Sequence, residues 1–311
     1  MRSPSAAVPD NLVAASVKLT NGGSSGSGVI VGYDADCHCE RNYLTAIARH
    51  FQQHPRTPGC SIYFEHPLEG PLEPQVYEAA AAYELHLRYY AQALRWAGFP
   101  YAHHTIGSSM AVRAGVYRKQ GGMNKRQAGE DFYFLHKVIP LGGYTDLTDT
   151  AVYPAPRASD RVPFGTGKAV RSCLSGTTLT TYPLEAFADL KILFEQLPAI
   201  YRDGNFTCAT SGEKLPESMR TFLQTQNFDK ALAELRAHTA SETAFRKRFF
   251  HWFNGFQAMK FIHLARDHFY GERGVELEAQ RLWERLSGVI APLEKLSMRG
   301  WLQIFRDLDR H

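Results

Sequence analysis

The spacing of apolar residues divides this chain into two regions. Between residues 29 and 171, short apolar runs typical of strands alternate with segments in which apolar residues recur every three or four positions, as in helices. From Ser172 onward only the helical spacing occurs. This alternation predicts an α/β fold over 29–171, with a mixed sheet flanked by helices, and an α-helical region over 172–311.

The clearest predicted helix runs from Pro74 to Gly98. Its apolar residues repeat at alternating steps of four and three, proline suits the first turn, and the glycine ends it. His86 and Arg88 lie off this apolar stripe and are predicted to be solvated. The other predicted elements are strands at Val29–Val31, Ser61–Glu65, Ser108–Val112 and Thr150–Val152, a helix from about Gly129 to Ile139, and a helix at Asn42–Gln53 with the apolar face Tyr43, Leu44, Ile47 and Phe51.

Two further regions flank this part of the chain. Residues 1–28 are predicted to be a flexible segment and linker because Asn21–Gly28 consists almost entirely of glycine and serine, although Leu12–Leu19 could form a short helix or strand. The helical region carries a broad aromatic face over 245–263, which indicates core packing or, as an alternative, a basic amphipathic helix on an anionic membrane. Its predicted helices are Leu184–Leu197, Ser218–Ala237, Thr239–Tyr270 as one helix or two, Glu276–Leu286 and Ile290–Asp309.

Composition excludes several classes of protein and selects none. Hydrophobic residues make up 44% of the chain, charged residues 21%, and the net charge is +4, which does not indicate a nucleic-acid partner. Five cysteines without paired CxxC spacings predict reduced thiols in a cytoplasmic protein. No apolar run approaches the ~20 residues that span a bilayer, so we expect at most peripheral contact with the inner membrane face.

Two carboxylates follow the predicted strand Val29–Val31. Asp34 and Asp36 are two residues apart, so in extended backbone they share one face. Neighbouring carboxylates repel unless a cation lies between them, and Mg²⁺ is commonly held by one or two carboxylates together with substrate phosphates. The plainer interpretation is a strand followed by a turn rich in aspartate.

Other candidate groups are each ambiguous alone. Glu130 and Asp131 open a predicted helix, where the helix dipole favours acidic residues regardless of function. The loop after residue 153 carries Arg157, Arg161 and Lys168, and loops of this length are either binding loops or ordinary surface. His103 and His104 could touch a metal or an acceptor, or be ordinary core or surface histidines. We reject a zinc site at Cys37, His38 and Cys39, because adjacent ligands without a second cluster make a poor tetrahedral site.

Taken together and in this order, the motifs resemble those of the inverting glycosyltransferases of family 2, which have the GT-A fold. The resemblance rests on Asp34-x-Asp36 after a strand, on Gly107-Ser-Ser-Met-Ala-Val-Arg113 leading to Gly121-Gly-Met-Asn124, on Glu130-Asp131, and on the arginine loop. It covers roughly residues 29–168 and implies a transferase that uses a nucleotide-sugar donor and a glycan or lipid-linked acceptor, as in polysaccharide biosynthesis.

The resemblance also implies roles for particular residues. Asp36 would ligate Mg²⁺ or Mn²⁺ on the donor diphosphate, and Asp34 would face the ribose or the metal's water shell. Asp131 would be the general base for the acceptor hydroxyl, with Glu130 orienting the acceptor. Arg157, Arg161 and Lys168 belong to the basic loop that would cover the diphosphate, and His104 would contact substrate.

One departure from the family yields two competing hypotheses. Family members place two βα units before the metal aspartates, whereas only 33 residues precede Asp34 here, so we expect an incomplete GT-A core that lacks the nucleotide-binding half. Val29–Val31 would then have an unpaired neighbouring position in the sheet. The alternatives to a transferase are a non-catalytic, truncated remnant acting as an interaction module and a metal-dependent hydrolase that uses the same carboxylates.

Overall fold

A computed structural model describes residues 15–17, 28–123, 129–159, 165–210, 214–289 and 296–310. The described chain divides into two compact units, which we treat separately. The first comprises 1–80, 103–175 and 309–311, and the second comprises 81–102 and 176–308. The predicted α/β class, followed by a helical C-terminal region, is confirmed.

The first unit is built on a six-stranded mixed sheet. Its strands are β1 (Ala15–Val17), β2 (Val29–Gly32), β3 (His38–Cys39), β4 (Gly59–Phe64), β5 (Met110–Arg113) and β6 (Thr145–Tyr153). Their order is β1-β2-β5-β4-β6-β3, and every neighbouring pair is antiparallel except β4 with β6. All six residues of β4 are buried, as expected for a central strand covered on both faces.

The neighbouring position beside Val29–Val31 is not open. Strand β1 pairs antiparallel with β2, with Ala15 opposite Val31, so the expectation of an unpaired edge is wrong. The other side of β2 pairs with β5, with Gly32 opposite Met110. Strand β2 is therefore an interior strand, and its last residue, Gly32, is held beside the start of β5 by this pairing.

Four described helices lie wholly within the first unit. They are α1 (Tyr43–Gln53), α3 (Ala114–Lys119), α4 (Glu130–Val138) and α5 (Thr166–Leu174); a 3-10 turn, Ile139–Leu141, follows α4. On α1, Leu44 was predicted to be on the apolar face but is 51% exposed. Ala46 and His50 complete the buried face instead, with the ring of His50 hydrogen-bonded to Thr145 at 2.8 Å.

Two elements of this unit differ in length from the prediction. Strand β6 covers nine residues, whereas only three were predicted. Its first part, Thr145-Asp-Leu-Thr-Asp-Thr150, is half-exposed and mostly polar, so its sequence shows no strand period. Helix α5 begins at Thr166, inside the stretch that was predicted to be loop as far as Lys168.

The second unit is mainly helical. It contains α6 (Leu184–Arg202), α7 (Glu217–Thr225), α8 (Phe228–Ala237), α9 (Glu242–Trp252), α10 (Gly255–Ala265) and α11 (Val275–Ser287), with a π-helical turn at Arg266–Tyr270 and a small two-stranded sheet of β7 (Thr180–Thr181) and β8 (Arg273–Gly274). Parts of α2 (Pro74–Trp96) and α12 (Met298–Arg310) also belong to it.

Single residues divide two predicted helices of this unit. Asn227, in the left-handed conformation with φ +52°, separates α7 from α8 within the predicted helix Ser218–Ala237. Asn254 caps α10 by accepting hydrogen bonds from the backbone N–H groups of Phe256 and Gln257, and thereby separates it from α9. Core packing accounts for the aromatic face, since the side chains of Phe245, Phe249 and Phe253 are fully buried. Membrane contact through 245–263 stays a prediction, and no described helix is long and apolar enough to cross a bilayer.

The prediction that Arg88 is solvated is wrong. Arg88 is fully buried and donates to Glu84 at 2.9 Å, while Arg306 binds both oxygens of the same carboxylate at 2.8 and 2.9 Å. His86 is not solvated either: its ring is hydrogen-bonded to Thr181 at 2.8 Å, and burial lowers its pKa to about 4. Helix α2 is thus buried on its polar side as well at these positions, and its buried residues Glu84 and Arg88 are paired because an unpaired buried charge would be costly.

Candidate metal and phosphate site

Strand β2 ends in a tight turn that carries the two aspartates. The backbone N–H of Cys37 donates to the carbonyl of Asp34 at 3.0 Å, which closes a turn over residues 34–37. The expectation that Asp34 and Asp36 lie on extended backbone is therefore wrong, and the plainer interpretation of a strand followed by a turn is right. The turn still brings the side chains together: the metal-binding atoms of Asp34, Asp36 and Cys37 all lie within 4.8 Å of one another.

Cys37 is the member of this cluster that sequence reasoning missed. Cys37 is buried, with 7% of its surface exposed. Burial and the negative charge of Asp34 raise the pKa of the Cys37 thiol to about 11. His38 and Cys39, the other residues of the rejected zinc motif, lie exposed on β3. The signal available in the sequence was the position of Cys37 directly after the second aspartate.

Arg157 binds the acidic cluster directly. Its Nε lies 2.5 Å from Oδ2 of Asp36, across 121 positions of sequence. The loop that carries Arg157 is fixed to the start of α5, since the N–H of Ser159 donates to the carbonyl of Gly167 at 3.0 Å. Of the other predicted cations, Lys168 is exposed on the first turn of α5, and Arg161 lies outside the described residues.

Two glycines place Asp131 beside the end of β2. A Cβ on Gly32 would lie 2.1 Å from the carbonyl oxygen of Gly107, so the two backbones are in direct contact. The N–H of Gly107 in turn donates to Oδ2 of Asp131 at 2.8 Å. Gly107 therefore contacts Asp131 through its N–H and, through its carbonyl oxygen, the end of the strand that leads into the aspartate turn.

The environment of Asp131 suits a general base. Burial, together with the negative charge of Glu130, raises its pKa to about 6, although the hydrogen bonds from the N–H groups of Phe132 and Gly107 act in the opposite direction. Helix α4 begins directly after Gly129, which has φ +74° and offers no side-chain cap. Glu130 is half-buried in the same first turn. A carboxylate with this pKa is ionised at neutral pH and still basic enough to accept a proton.

The side chains of His103 and His104 are paired with carboxylates outside the aspartate turn. His104 is paired with Asp309, Nε2 to Oδ2 at 2.9 Å, and packs edge-on against Phe64. His103 is paired with Asp146, Nδ1 to Oδ1 at 2.9 Å. The described contacts of His104 thus favour an ordinary structural histidine, the plainer of its two interpretations.

Two tyrosines line the inner side of the aspartate turn. The hydroxyl of Tyr33 donates to the carbonyl of Cys37 at 2.8 Å, and the Tyr33 ring packs against Tyr43 with 5.7 Å between centroids. The hydroxyl of Tyr43 is buried without a hydrogen-bond partner among the described protein atoms.

A separate cleft of about 410 Å³ lies between the start of α1 and strand β6. It contains no predicted site residue and is lined by Glu40, Arg41, Asn42, Thr148, Asp149, Thr150, Ala151 and Arg310. The hydroxyl of Tyr153 donates to Glu40 at 2.6 Å beside it.

The residues of the aspartate turn fit a divalent cation. Asp34 and Asp36 place two carboxylates within 4.8 Å of each other, and carboxylate oxygens are the ligands that Mg²⁺ and Mn²⁺ accept, whereas Cys37 with its raised pKa is a protonated neighbour. In the described structure the Asp36 carboxylate is already paired with a cation, the guanidinium of Arg157.

Comparisons with known proteins found no match: no protein-family model, curated protein or solved structure is significantly similar to this chain. The resemblance to family 2 glycosyltransferases consequently rests on the sequence motifs, and the function that it implies is a proposal.

Proposed function

We propose that this protein is a metal-dependent glycosyltransferase that moves a sugar from a nucleotide-sugar to an acceptor hydroxyl with inversion. The observation that carries the proposal is the chain of contacts linking four motifs far apart in sequence. Arg157 binds Asp36 of the aspartate turn, Gly32 at the end of the strand before that turn contacts the carbonyl oxygen of Gly107, and the N–H of Gly107 donates to Asp131. A cation site, a candidate phosphate ligand and a candidate base thus belong to one connected region of the first unit.

The donor side of the proposed site consists of carboxylates and a guanidinium. Asp34 and Asp36 would hold Mg²⁺ or Mn²⁺, which when bound would offset the negative charge that develops on the departing diphosphate. Arg157 has a planar guanidinium that matches phosphate oxygens, and its exposed position leaves it able to reach them. Lys168 and Arg161 are proposed to extend the positive charge of the same loop.

The acceptor side of the proposed site is Asp131. Its carboxylate would take the proton from the attacking hydroxyl as the new glycosidic bond forms and the bond to the diphosphate breaks. The N–H of Gly107, which donates to Oδ2 at 2.8 Å, fixes the orientation of the carboxylate during this step. Glu130 is proposed to orient the acceptor, which would be a glycan or a lipid-linked sugar handled on the cytoplasmic side of the membrane.

Calorimetry with UDP and with GDP, each in the presence and absence of Mn²⁺, tests the proposal. We expect binding that requires Mn²⁺ and weakens at least tenfold in Asp36→Asn, whereas Glu69→Gln, which removes an exposed carboxylate elsewhere, should bind as the wild type does. Asp131→Asn should keep binding and lose transfer.

The competing hypotheses give different results in the same experiments. Absence of metal-dependent nucleotide binding in the wild type would contradict the enzyme proposal and favour an interaction module. Release of free sugar without acceptor, abolished by both Asp36→Asn and Asp131→Asn, would favour the hydrolase.

A further inference from the structure

The cation of Arg157 and a divalent metal ion would need the same carboxylate. Arg157 lies 2.5 Å from Oδ2 of Asp36, and Asp36 is one of the three residues whose donor atoms cluster within 4.8 Å. A metal ion and a guanidinium on one carboxylate repel each other, whichever of the two oxygens each of them binds. Simultaneous occupation of the Asp36 carboxylate is therefore unfavourable.

The exchange of one cation for the other is physically accessible. The side chains of Arg157 and Asp36 are 51% and 38% exposed, and ion pairs with this exposure contribute little to stability because water screens them. The loop is nonetheless positioned by the bond from Ser159 to Gly167, so an Arg157 side chain displaced from Asp36 remains beside the turn. The guanidinium would then be available to bind the phosphate oxygens of a diphosphate.

We propose that Arg157 is the resident counter-ion of Asp36, yields this carboxylate to a divalent cation, and then binds the diphosphate that arrives with that cation. The inference rests on the proposed function and adds to it a regulation of the same site. Arg157 opposes the metal ion when no diphosphate is present and assists once one is bound. Metal and diphosphate therefore bind with a positive coupling that depends on this side chain.

The quantity that tests the inference is the coupling factor, the ratio by which a diphosphate tightens Mn²⁺ binding. Inorganic pyrophosphate is the probe, because it needs no nucleotide pocket, and the fit must account for its own complex with Mn²⁺. In Arg157→Gln we expect Mn²⁺ alone to bind between about 1.4-fold and fivefold more tightly than in the wild type, since a competing exposed ion pair is removed. The coupling factor should fall by a similar ratio.

A second variant changes the position of the loop that carries Arg157 without changing its charge. A Cβ on Gly167 would lie 2.6 Å from Cβ of Ser159 and 3.3 Å from the carbonyl oxygen of Arg157, so Gly167→Ala moves the loop and keeps every charge. We expect it to change both quantities in the same direction as Arg157→Gln. Lys119→Gln, which removes an exposed cation on α3, is the matched control and should leave both as in the wild type.

Two results would overturn the inference. One is unchanged Mn²⁺ affinity in Arg157→Gln, and the other is a coupling factor equal to that of the wild type in both loop variants, which would make Arg157 a simple surface charge. Melting temperatures within a few degrees of the wild type verify that the variants are folded. Because pyrophosphate is the probe, failure to bind UDP or GDP would contradict the proposed function while leaving this test decisive.

Discussion

Replacing Asp131 with asparagine should change how the free energy of unfolding depends on pH. Burial and the nearby Glu130 raise the pKa of Asp131 from the ordinary 3.8 to about 6. In the unfolded chain the pKa returns to its ordinary value, so between these two values the folded protein binds one proton more than the unfolded chain. The contribution of Asp131 to the free energy of unfolding is consequently full below pH 3.8 and is lost as the pH rises to about 6.

The size of this effect follows from the two pKa values. At about 1.36 kcal/mol per pKa unit, the difference between 3.8 and about 6 corresponds to about 3 kcal/mol. Asparagine does not titrate and lacks this contribution at every pH. It also alters the hydrogen bonds from Gly107 and Phe132, but for a neutral side chain that cost is independent of pH. Between pH 4 and pH 7, the unfolding free energy of Asp131→Asn should therefore rise relative to the wild type by about 2 kcal/mol.

Urea unfolding at pH 4, 5, 6 and 7, followed by circular dichroism, measures this change. The difference between Asp131→Asn and the wild type should grow most steeply between pH 4 and 6 and level off above. Glu69→Gln, at an exposed position, should show a far smaller change of this kind over the same range. A difference between Asp131→Asn and the wild type that stays constant from pH 4 to 7 would refute the buried carboxylate and remove the physical basis for assigning it as the base.

Three further predictions concern the close backbone contact, the buried ion cluster and the proposed reaction. Gly32→Ala should lower the free energy of unfolding by about 3 kcal/mol or more, because its Cβ would lie 2.1 Å from a carbonyl oxygen, whereas Gly204→Ala, with nothing within 4 Å, should change it by less than about 1 kcal/mol in urea titrations. Glu84→Gln should cost about 3–5 kcal/mol, since it leaves two buried arginines without their shared carboxylate, while Glu195→Gln in an exposed pair should cost no more than about 1 kcal/mol. If the protein transfers sugar, the rate should rise with pH around 6 as Asp131 ionises and level off above; a rate that falls over this range would contradict its role as base.

Strongly periodic segments were predictable from the sequence. Helices α1, α2 and α4 and strands β2, β4 and β5 all form close to the predicted ranges, because the helices have apolar residues at helical spacing and the strands are short, mainly apolar runs. Strand β6 was shortened in the prediction because its first six residues include three threonines and two aspartates. Such a segment has too few apolar residues to show a strand period, and only pairing with β4 makes it a strand.

Buried charge was not predictable from the pattern. Arg88 lies off the apolar stripe of α2, and a lone arginine in that position is ordinarily solvated. Its burial is tolerated because it pairs with Glu84, one turn earlier. The same carboxylate also binds Arg306, which is more than 200 positions away in sequence. The near pair, four residues apart, was visible in the sequence, but the distant partner that makes burial tolerable could only be found in the fold.

The sequence predicted which residues form the candidate site, but it did not predict how they are arranged. Extended backbone would have directed Asp34 and Asp36 to one face, but the turn that closes at Cys37 brings them together with a thiol instead. Two glycines in the sequence indicated that the backbones approach each other closely at this point. Gly32 ends the strand and Gly107 opens the segment before β5, and a side chain on the former would collide with the backbone of the latter.

The contact between these glycines bears on the proposed chemistry. The position of Asp131 relative to the aspartate turn depends on backbone atoms, namely the carbonyl and N–H of Gly107, and not on a flexible side chain. Arg157, by contrast, reaches Asp36 from an exposed loop. In the proposed reaction, the fixed part of the site would be the placement of Asp131, the proposed base, relative to the aspartate turn, and the adjustable part would be Arg157, the proposed ligand of the diphosphate. Such a site would keep the proposed base and the proposed metal ligands at a constant separation while Arg157 changes partners.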